Sequence, residues 1–514
     1  MLAAAVFLFA GLGAYPLWDP DEGRHAEIAR RLGTDGQWLV PRIYGEPYYD
    51  KPTFFYWLLR ASFIALGTNE LAARLPSVLA TIGTLVVLHR LALARFGRRA
   101  AAHAATIYLT SPLVVVLSRY CNLDATLTFF VTWATAAWLG WLDGDRKRPP
   151  WSAYAAMALG TLVKGPVAVL LPALTAALVG FTRERGRSLA LLGAARPVRG
   201  ALVIAALVVP WLAGTALAEP DYLRTFLVEH NFRRYLSSEF EHVKNPAYFF
   251  WVLPLLMLPW SLLLPAVVGD RRPSGSQTAA RDRDLLVWAA VVVGFFTLGR
   301  AKLAPYVLPA VPPLALWLGA KLADLDPLRL PRVRHALHVW AASLLLLPVA
   351  VGGWVAFTHP SLLATAAWSL IAVPAAAAAV WAARDRTETR AVPVLALGNA
   401  ALFAVFYLAT GQAVSAVASD ASLAEIASRR ADIPVASFRV QPASFSFYSE
   451  REVIRLDETR DVQARLREGP LLLVSRRRHE KTLTEAGIPL HEWLDTGRHV
   501  LWGTVPPPTG SPSD

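Results

Sequence analysis

One cysteine, Cys121, is all that 514 residues contain, so an intramolecular disulfide is excluded and a thiolate metal cluster with it. It says nothing of the redox compartment. Charge is scarce too: Asp, Glu, Lys and Arg make up 17% of the chain, against roughly 25% in soluble domains. No Gly-rich phosphate loop, dinucleotide fingerprint or nucleophile elbow occurs, which removes the chemistries built on those loops. There is no evident internal repeat, and that counts against the repeat-built secondary transporters. Linker-like, tag-like and low-complexity runs are missing as well.

What the chain has instead is apolar surface. Its residues are 55% hydrophobic, with 18 Trp and a mean hydropathy of +0.39. The apolar residues lie in blocks long enough to cross a bilayer, about 17–25 residues each. They predict about thirteen spans, at 1–16, 72–93, 100–118, 124–142, 152–164, 166–181, 200–217, 248–268, 285–299, 304–320, 336–357, 362–382 and 391–411. The first is read as a span rather than a cleaved signal peptide, because no basic segment precedes it. It is short and opens at Met1, which leaves room for a start further upstream.

The net charge of +13 follows from where the basic residues sit. They fill every second short loop: Arg95, Arg98 and Arg99; Arg146, Lys147 and Arg148; Arg183, Arg185 and Arg187; Arg271, Arg272, Arg281 and Arg283; Lys321, Arg329, Arg332 and Arg334; Arg384, Arg386 and Arg390. Lys and Arg accumulate in cytoplasmic loops. The charge therefore needs no nucleic-acid partner, and it turns the remaining loops outward.

Those outward loops collect the unusual residues. Loop 17–71 carries Asp19, Asp21, Glu22, Glu27, Asp50 and Lys51, and loop 218–247 carries Glu229, His230, Arg233, Arg234, Glu241 and His242. After residue 411 the composition becomes charged. Helices at 423–430, 443–448, 461–467 and 478–486 alternate with strands at 434–438, 452–456 and 470–474, the pattern of a small α/β layer. The expected division is a transmembrane catalytic part at 1–414, with 17–71 as its first extracytoplasmic loop, an extracytoplasmic α/β domain at 415–505 and a disordered tail at 506–514.

Asp21 and Glu22 follow Trp18 and precede a helical pattern suited to the membrane interface, with Trp18 and Trp38 as anchors. There they either complement the start of that helix or meet a lipid headgroup. Asp124 returns to the same face between the third and fourth spans, and it too is either an N-cap or a reactive carboxylate. Lys51, Arg233, Arg234 and Lys302 are cations outside the cytoplasmic loops. They are either structural ion pairs or phosphate ligands.

The ordered set DE and RHAEIAR (21–30), DKPTFFYW (50–57), NLD (122–124), LVKGP (162–166), EHNFRRY (229–235), HVKNP (242–246), PW (259–260) and KLAPYVLP (302–309) resembles the bacterial glycosyltransferase family 39/83 group. Within it, the likeness is greatest to the aminoarabinose transferases that modify lipid A. The resemblance implies the GT-C membrane glycosyltransferase architecture and transfer of a sugar, with inversion, from a polyprenyl-phosphate carrier to an extracytoplasmic lipid A, other glycan, lipid or protein. It also implies a bacterial inner membrane as the location. Asp21 matches the first-loop carboxylate that positions or activates the acceptor, with Glu22 beside it, and Asp124 matches the second outer acidic residue. Lys51 matches the lysine on the carrier phosphate, joined by Arg234 or Arg233 and by Lys302. His25, Tyr48, His242 and Tyr306 fall in the substrate-contacting loops, and His25 stands where the aminoarabinose enzymes usually have Tyr. No cofactor is required, although Asp50, with His242, matches a position associated with a divalent metal in one branch. The competing class is a secondary transporter or flippase of a lipid-linked sugar, with Lys164 as its main intramembrane charge. A non-enzymatic scaffold would leave Asp21 and Asp124 as helix caps only.

Overall fold

The structure is a computed structural model that describes residues 2–34, 36–144, 146–183, 188–226, 243–268, 276–325, 330–358, 372–383, 391–407 and 411–507. It divides into two compact units. One comprises 1–10, 49–55 and 76–406, and the other 11–48, 56–75 and 407–514.

The first unit is helical. Among the described residues, four helices are long and apolar enough to cross a membrane, and a fifth counts if Tyr248–Leu256 and Trp260–Val267, bent by 99°, form one span. Several project large apolar side chains outward, such as Leu202, Leu217, Phe250 and Trp251. Exposed apolar surface on that scale belongs against lipid. The expected second and third spans are two helices within Glu70–Thr110 that meet at a kink in the basic stretch between them. The break falls at Gly97. That residue takes φ 84°, which a glycine adopts without penalty. Other expected spans appear as Leu123–Asp143, Trp151–Lys164, Val167–Arg183, Ser276–Leu298 and Leu330–Thr358. Residues 362–371 of the twelfth lie outside the described residues.

Helix Leu123–Asp143 carries charge at both ends. Its 21 residues span about 30 Å, the thickness of a bilayer's hydrocarbon core. At its start Asp124 meets Lys164. At its end Asp143 meets Arg95 and Arg183 at 2.8 Å each, and both arginines also reach the buried Asp284. Two residues before Asp284, Asp282 pairs with Lys321 at 2.5 Å. Charges in such apolar surroundings persist only when they are paired.

The second unit contains a five-stranded sheet in the order β4-β3-β5-β7-β6. Its strands are β3 (Val435–Phe438), β4 (Val453–Leu456), β5 (Leu472–Ser475), β6 (His491–Asp495) and β7 (Val500–Gly503); β1 (Arg42–Ile43) and β2 (Glu46–Pro47) form a separate short hairpin. β4, β3 and β5 are parallel, while β7 and β6 are antiparallel. Successive strand residues alternate between two cores, one around Leu423, Val435, Phe445, Leu472 and Trp493, the other around Phe438, Val462, Leu473 and Trp502. Apolar residues on both faces are what parallel strands require. The three expected strands and their helices are present, and β6 and β7 add a hairpin that the sequence pattern does not announce. Residues 508–514 of the expected tail lie outside the described residues.

The same unit holds helix Asp21–Arg31, which packs on helix Ala443–Ser449. Gly23 makes this approach feasible, since a Cβ there would lie 2.4 Å from Asp19 Oδ1 and 2.5 Å from the Ser444 nitrogen. Asp19 accepts from the Ser444 N–H at 3.0 Å and from its hydroxyl at 2.5 Å.

Candidate active site

Helix Asp21–Arg31 opens with two carboxylates in its first turn, and no side chain caps it: Pro20 occupies the N-cap position. The two acids part company there. Glu22 points inward and is fully buried against Arg74, with oxygen–nitrogen distances of 2.8 and 2.9 Å. Arg74 also donates to the carbonyls of Leu12, Tyr15 and Pro16 and stacks 3.9 Å over the Tyr15 ring. Asp21 points outward, with 53% of its side chain exposed and Arg24 at 3.6 Å. Arg24, one helical turn on, opens the RHAEIAR motif but is not among the expected site residues, and its i+3 spacing from Asp21 is a further sequence signal that points to it. His25 is buried and sits 3.1 Å from the Tyr56 hydroxyl, while Tyr48 meets the Tyr56 ring edge-on.

In the other unit, the N-cap of helix Leu123–Asp143 is Asn122, whose side chain accepts from the N–H groups of Asp124 and Ala125 at 2.8 and 3.1 Å. Asp124 is therefore not the cap. Its carboxylate lies 2.5 Å from Lys164, and the Lys164 ammonium stands 4.8 Å over the Tyr306 ring. A predicted acid and a predicted aromatic thus come together through a lysine that the motifs do not place in the site. Lys164 precedes a helix-breaking Gly-Pro, a visible mark of an intramembrane charge placed at a break.

Lys51 donates to its neighbour's carbonyl, Asp50 O, at 3.0 Å, and the Lys51 carbonyl accepts from the Tyr222 hydroxyl at 3.0 Å. Trp211 adds a hydrogen bond to Thr53 at 3.1 Å, so the DKPT turn is fixed by side chains from the 197–226 region. Lys302 is buried and donates to Gly299 O at 2.5 Å. Burial, and then the nearby Arg300, push its ammonium below the ordinary lysine pKa. Arg233, Arg234 and His242 lie outside the described residues. Among the described residues no three His, Cys, Asp or Glu side chains gather as metal ligands.

Against known proteins, the chain matches the family described as Dolichyl-phosphate-mannose-protein mannosyltransferase over residues 50–213. It is 32% identical over 330 residues to undecaprenyl phosphate-alpha-4-amino-4-deoxy-L-arabinose arabinosyl transferase 1 of Pseudomonas fluorescens, covering 63% of this chain and 59% of that one. The corresponding transferase of Pectobacterium carotovorum is 33% identical over 366 residues, covering 69% and 64%. The chain thus spans less than two thirds of the length of these curated relatives. The crystal structure of ArnT from Cupriavidus metallidurans bound to undecaprenyl phosphate superposes with a TM-score of 0.81 over 98% of this chain and 97% of that one, at 22% identity.

The fold is GT-C. The resemblance of the motifs to bacterial family 39/83 is borne out with it. In GT-C terms the chain is a polytopic helical membrane protein with a small sheet-containing region at its C-terminal end.

Proposed function

We propose that this protein transfers a sugar from a polyprenyl-phosphate carrier to an acceptor on the extracytoplasmic face of a bacterial inner membrane. The observation that carries the reading is 33% identity over 366 residues to an undecaprenyl-phosphate-aminoarabinose transferase. The same relatives favour a pentose donor, 4-amino-4-deoxy-arabinose on undecaprenyl phosphate. Lipid A, the acceptor of the group that the motifs resemble, is the first acceptor to test. His25 in place of the usual Tyr marks the choice of sugar and of acceptor as the points where this chain departs from that group.

In this reading the bond from the anomeric carbon to the carrier phosphate oxygen breaks, and its electron pair leaves with the phosphate. An acceptor oxygen attacks the opposite face of that carbon and gives its proton to Asp21, the exposed carboxylate. Lys51, with Arg234 or Arg233 and Lys302, stabilises the charge that develops on the leaving phosphate. Losing one such donor costs about 2.7–4 kcal/mol in comparable sites. Asp124 and Lys164 form a pair that orients the donor, with Tyr306 beneath the lysine. If a divalent cation takes part, Asp50 and His242 are the residues to hold it, and chelation of the purified protein decides that point.

Mass spectrometry of envelope glycolipids from a deletion strain tests the reading. One sugar-bearing species should vanish on deletion and return with the wild type, but not with Asp21→Asn or Lys51→Ala expressed at the same level. Normal transfer by both variants sinks the site assignment. The bend of 99° between Tyr248–Leu256 and Trp260–Val267 favours one second reading, because transporters build substrate sites from discontinuous helices. An unchanged glycome together with a mislocated lipid-linked sugar would select it.

A further inference from the structure

The sheet of the second unit changes direction at β3. The chain leaves it for β4 on one side and comes back as β5 on the other. Open α/β sheets bind ligands in the crevice beyond the carboxyl ends of strands at such a point. β3 and β5 are parallel, with Ser437 opposite Val474. Two positions further on along each chain, just past the carboxyl ends of the two strands, come Arg439 and Arg476.

The local backbone is unusual. Arg439 holds a left-handed conformation, φ 54°, which is rare for a non-glycine residue and gathers at functional sites. Its N–H donates to Leu456 O at 3.0 Å and its Nε to Asp457 O at 2.8 Å, leaving both terminal amino groups of the exposed guanidinium available. That guanidinium lies 5.1 Å from the centroid of the Phe438 ring, and His479 stands edge-on to the same ring at 5.7 Å. Arg478 donates its Nε to His479 Nε2 at 3.3 Å. Arg439, Arg476, Arg478 and His479 thus share one corner of the sheet.

Several other arginines of the domain are neutralised. Arg477 reaches Glu492 and Asp495, Arg430 pairs with Asp432, Arg455 with Asp457 and Arg465 with Glu468. Among the described residues Arg439, Arg476 and Arg478 have no such carboxylate. Burial, and then the fields of Arg478, Arg439 and Arg476, hold His479 below the ordinary imidazole pKa, so it sits there as a neutral acceptor for Arg478.

We propose that this corner is a phosphomonoester-binding site, formed by Arg439, Arg476 and Arg478 at the carboxyl edge of β3 and β5. Guanidinium forks match phosphate oxygens in pairs, and three of them compensate a dianion that a single arginine would not. No bond is made or broken. The phosphate is that of a lipid headgroup or free inorganic phosphate. The site does not rest on the transferase reading, because it is read without sugar donor or turnover.

The test uses the full chain in neutral detergent micelles, with retention of phosphatidic acid against phosphatidylcholine followed by native mass spectrometry. Wild type should retain phosphatidic acid at least about tenfold more strongly than Arg439→Gln/Arg476→Gln/Arg478→Gln, and Arg465→Gln should match wild type. Arg476→Gln alone should weaken retention as well; that side chain makes no hydrogen bond among the described residues, so its loss does not disturb the fold. Displacement of the lipid by inorganic phosphate at equal concentration identifies free phosphate as the ligand, and resistance to it identifies the lipid. Equal retention by wild type and the variants, or none by wild type, overturns the proposal.

Discussion

Asp21 and Glu22 are adjacent and chemically alike, yet one faces outward and the other is sealed against Arg74. Removing Glu22's charge strands a guanidinium in a fully buried place, and breaking a buried pair in this way costs about 3–5 kcal/mol. Glu22→Gln should therefore lower the unfolding midpoint in detergent sharply, whereas Asp21→Asn should leave it where it is and affect transfer alone. Equal midpoints for the two variants would refute the division of roles. In the sequence both acids are candidates, because both precede the same helical pattern. Their separation is not visible there, since Arg74 lies 52 residues from Glu22 and no local periodicity links them. The pairing of Lys164 with Asp124 is hidden for the same reason, since the two lie 40 residues apart.

Individual elements are legible where one physical rule dominates. Apolar blocks locate the helices of the first unit, and short apolar strands between helical stretches locate β3, β4 and β5. The hairpin of β6 and β7 is not legible, because β6 is an edge strand with charged, partly exposed residues in the sequence HEWLD, which shows no clean alternation. The start of helix Leu123–Asp143 shows how fine the competition is. Asn122 and Asp124 are both good capping residues, and Asn122 takes the position because its side chain reaches two N–H groups. Asn122→Ala should cost about 1 kcal/mol of stability, read as a lower unfolding midpoint. Asp124→Asn should leave the cap intact and lose only the pair with Lys164. A cap effect from Asp124→Asn instead would reverse the assignment.

Across the molecule, the chain twice joins distant segments through buried carboxylates, and these joints set how it responds to pH and how it is built. Asp19, beside Ser444, is raised to about 7 by burial and then by the charge of Asp420. In the unfolded chain the same group releases its proton near 3.8. Folding therefore takes up a proton between those values, and stability declines as pH rises through this window and stays low above it. Protection of helix Ala443–Ser449 from hydrogen exchange, taken relative to the intrinsic rate at each pH, should be greater at about pH 5 than at about pH 8, and Asp19→Asn should flatten the difference. An unchanged slope in the variant would remove Asp19 as its source. The other joint is the group of Arg95, Asp143, Arg183 and Asp284. Because a chain is made from its N-terminus, Arg95 is synthesised first, Asp143 follows within 48 residues, and Arg183 then adds a second cation. Asp284 comes 101 residues after Arg183. Throughout that interval two guanidiniums share one carboxylate, so every nascent or truncated chain that stops short of Asp284 carries an arginine surplus at the membrane, a chemical difference by which unfinished copies are distinguishable from finished ones.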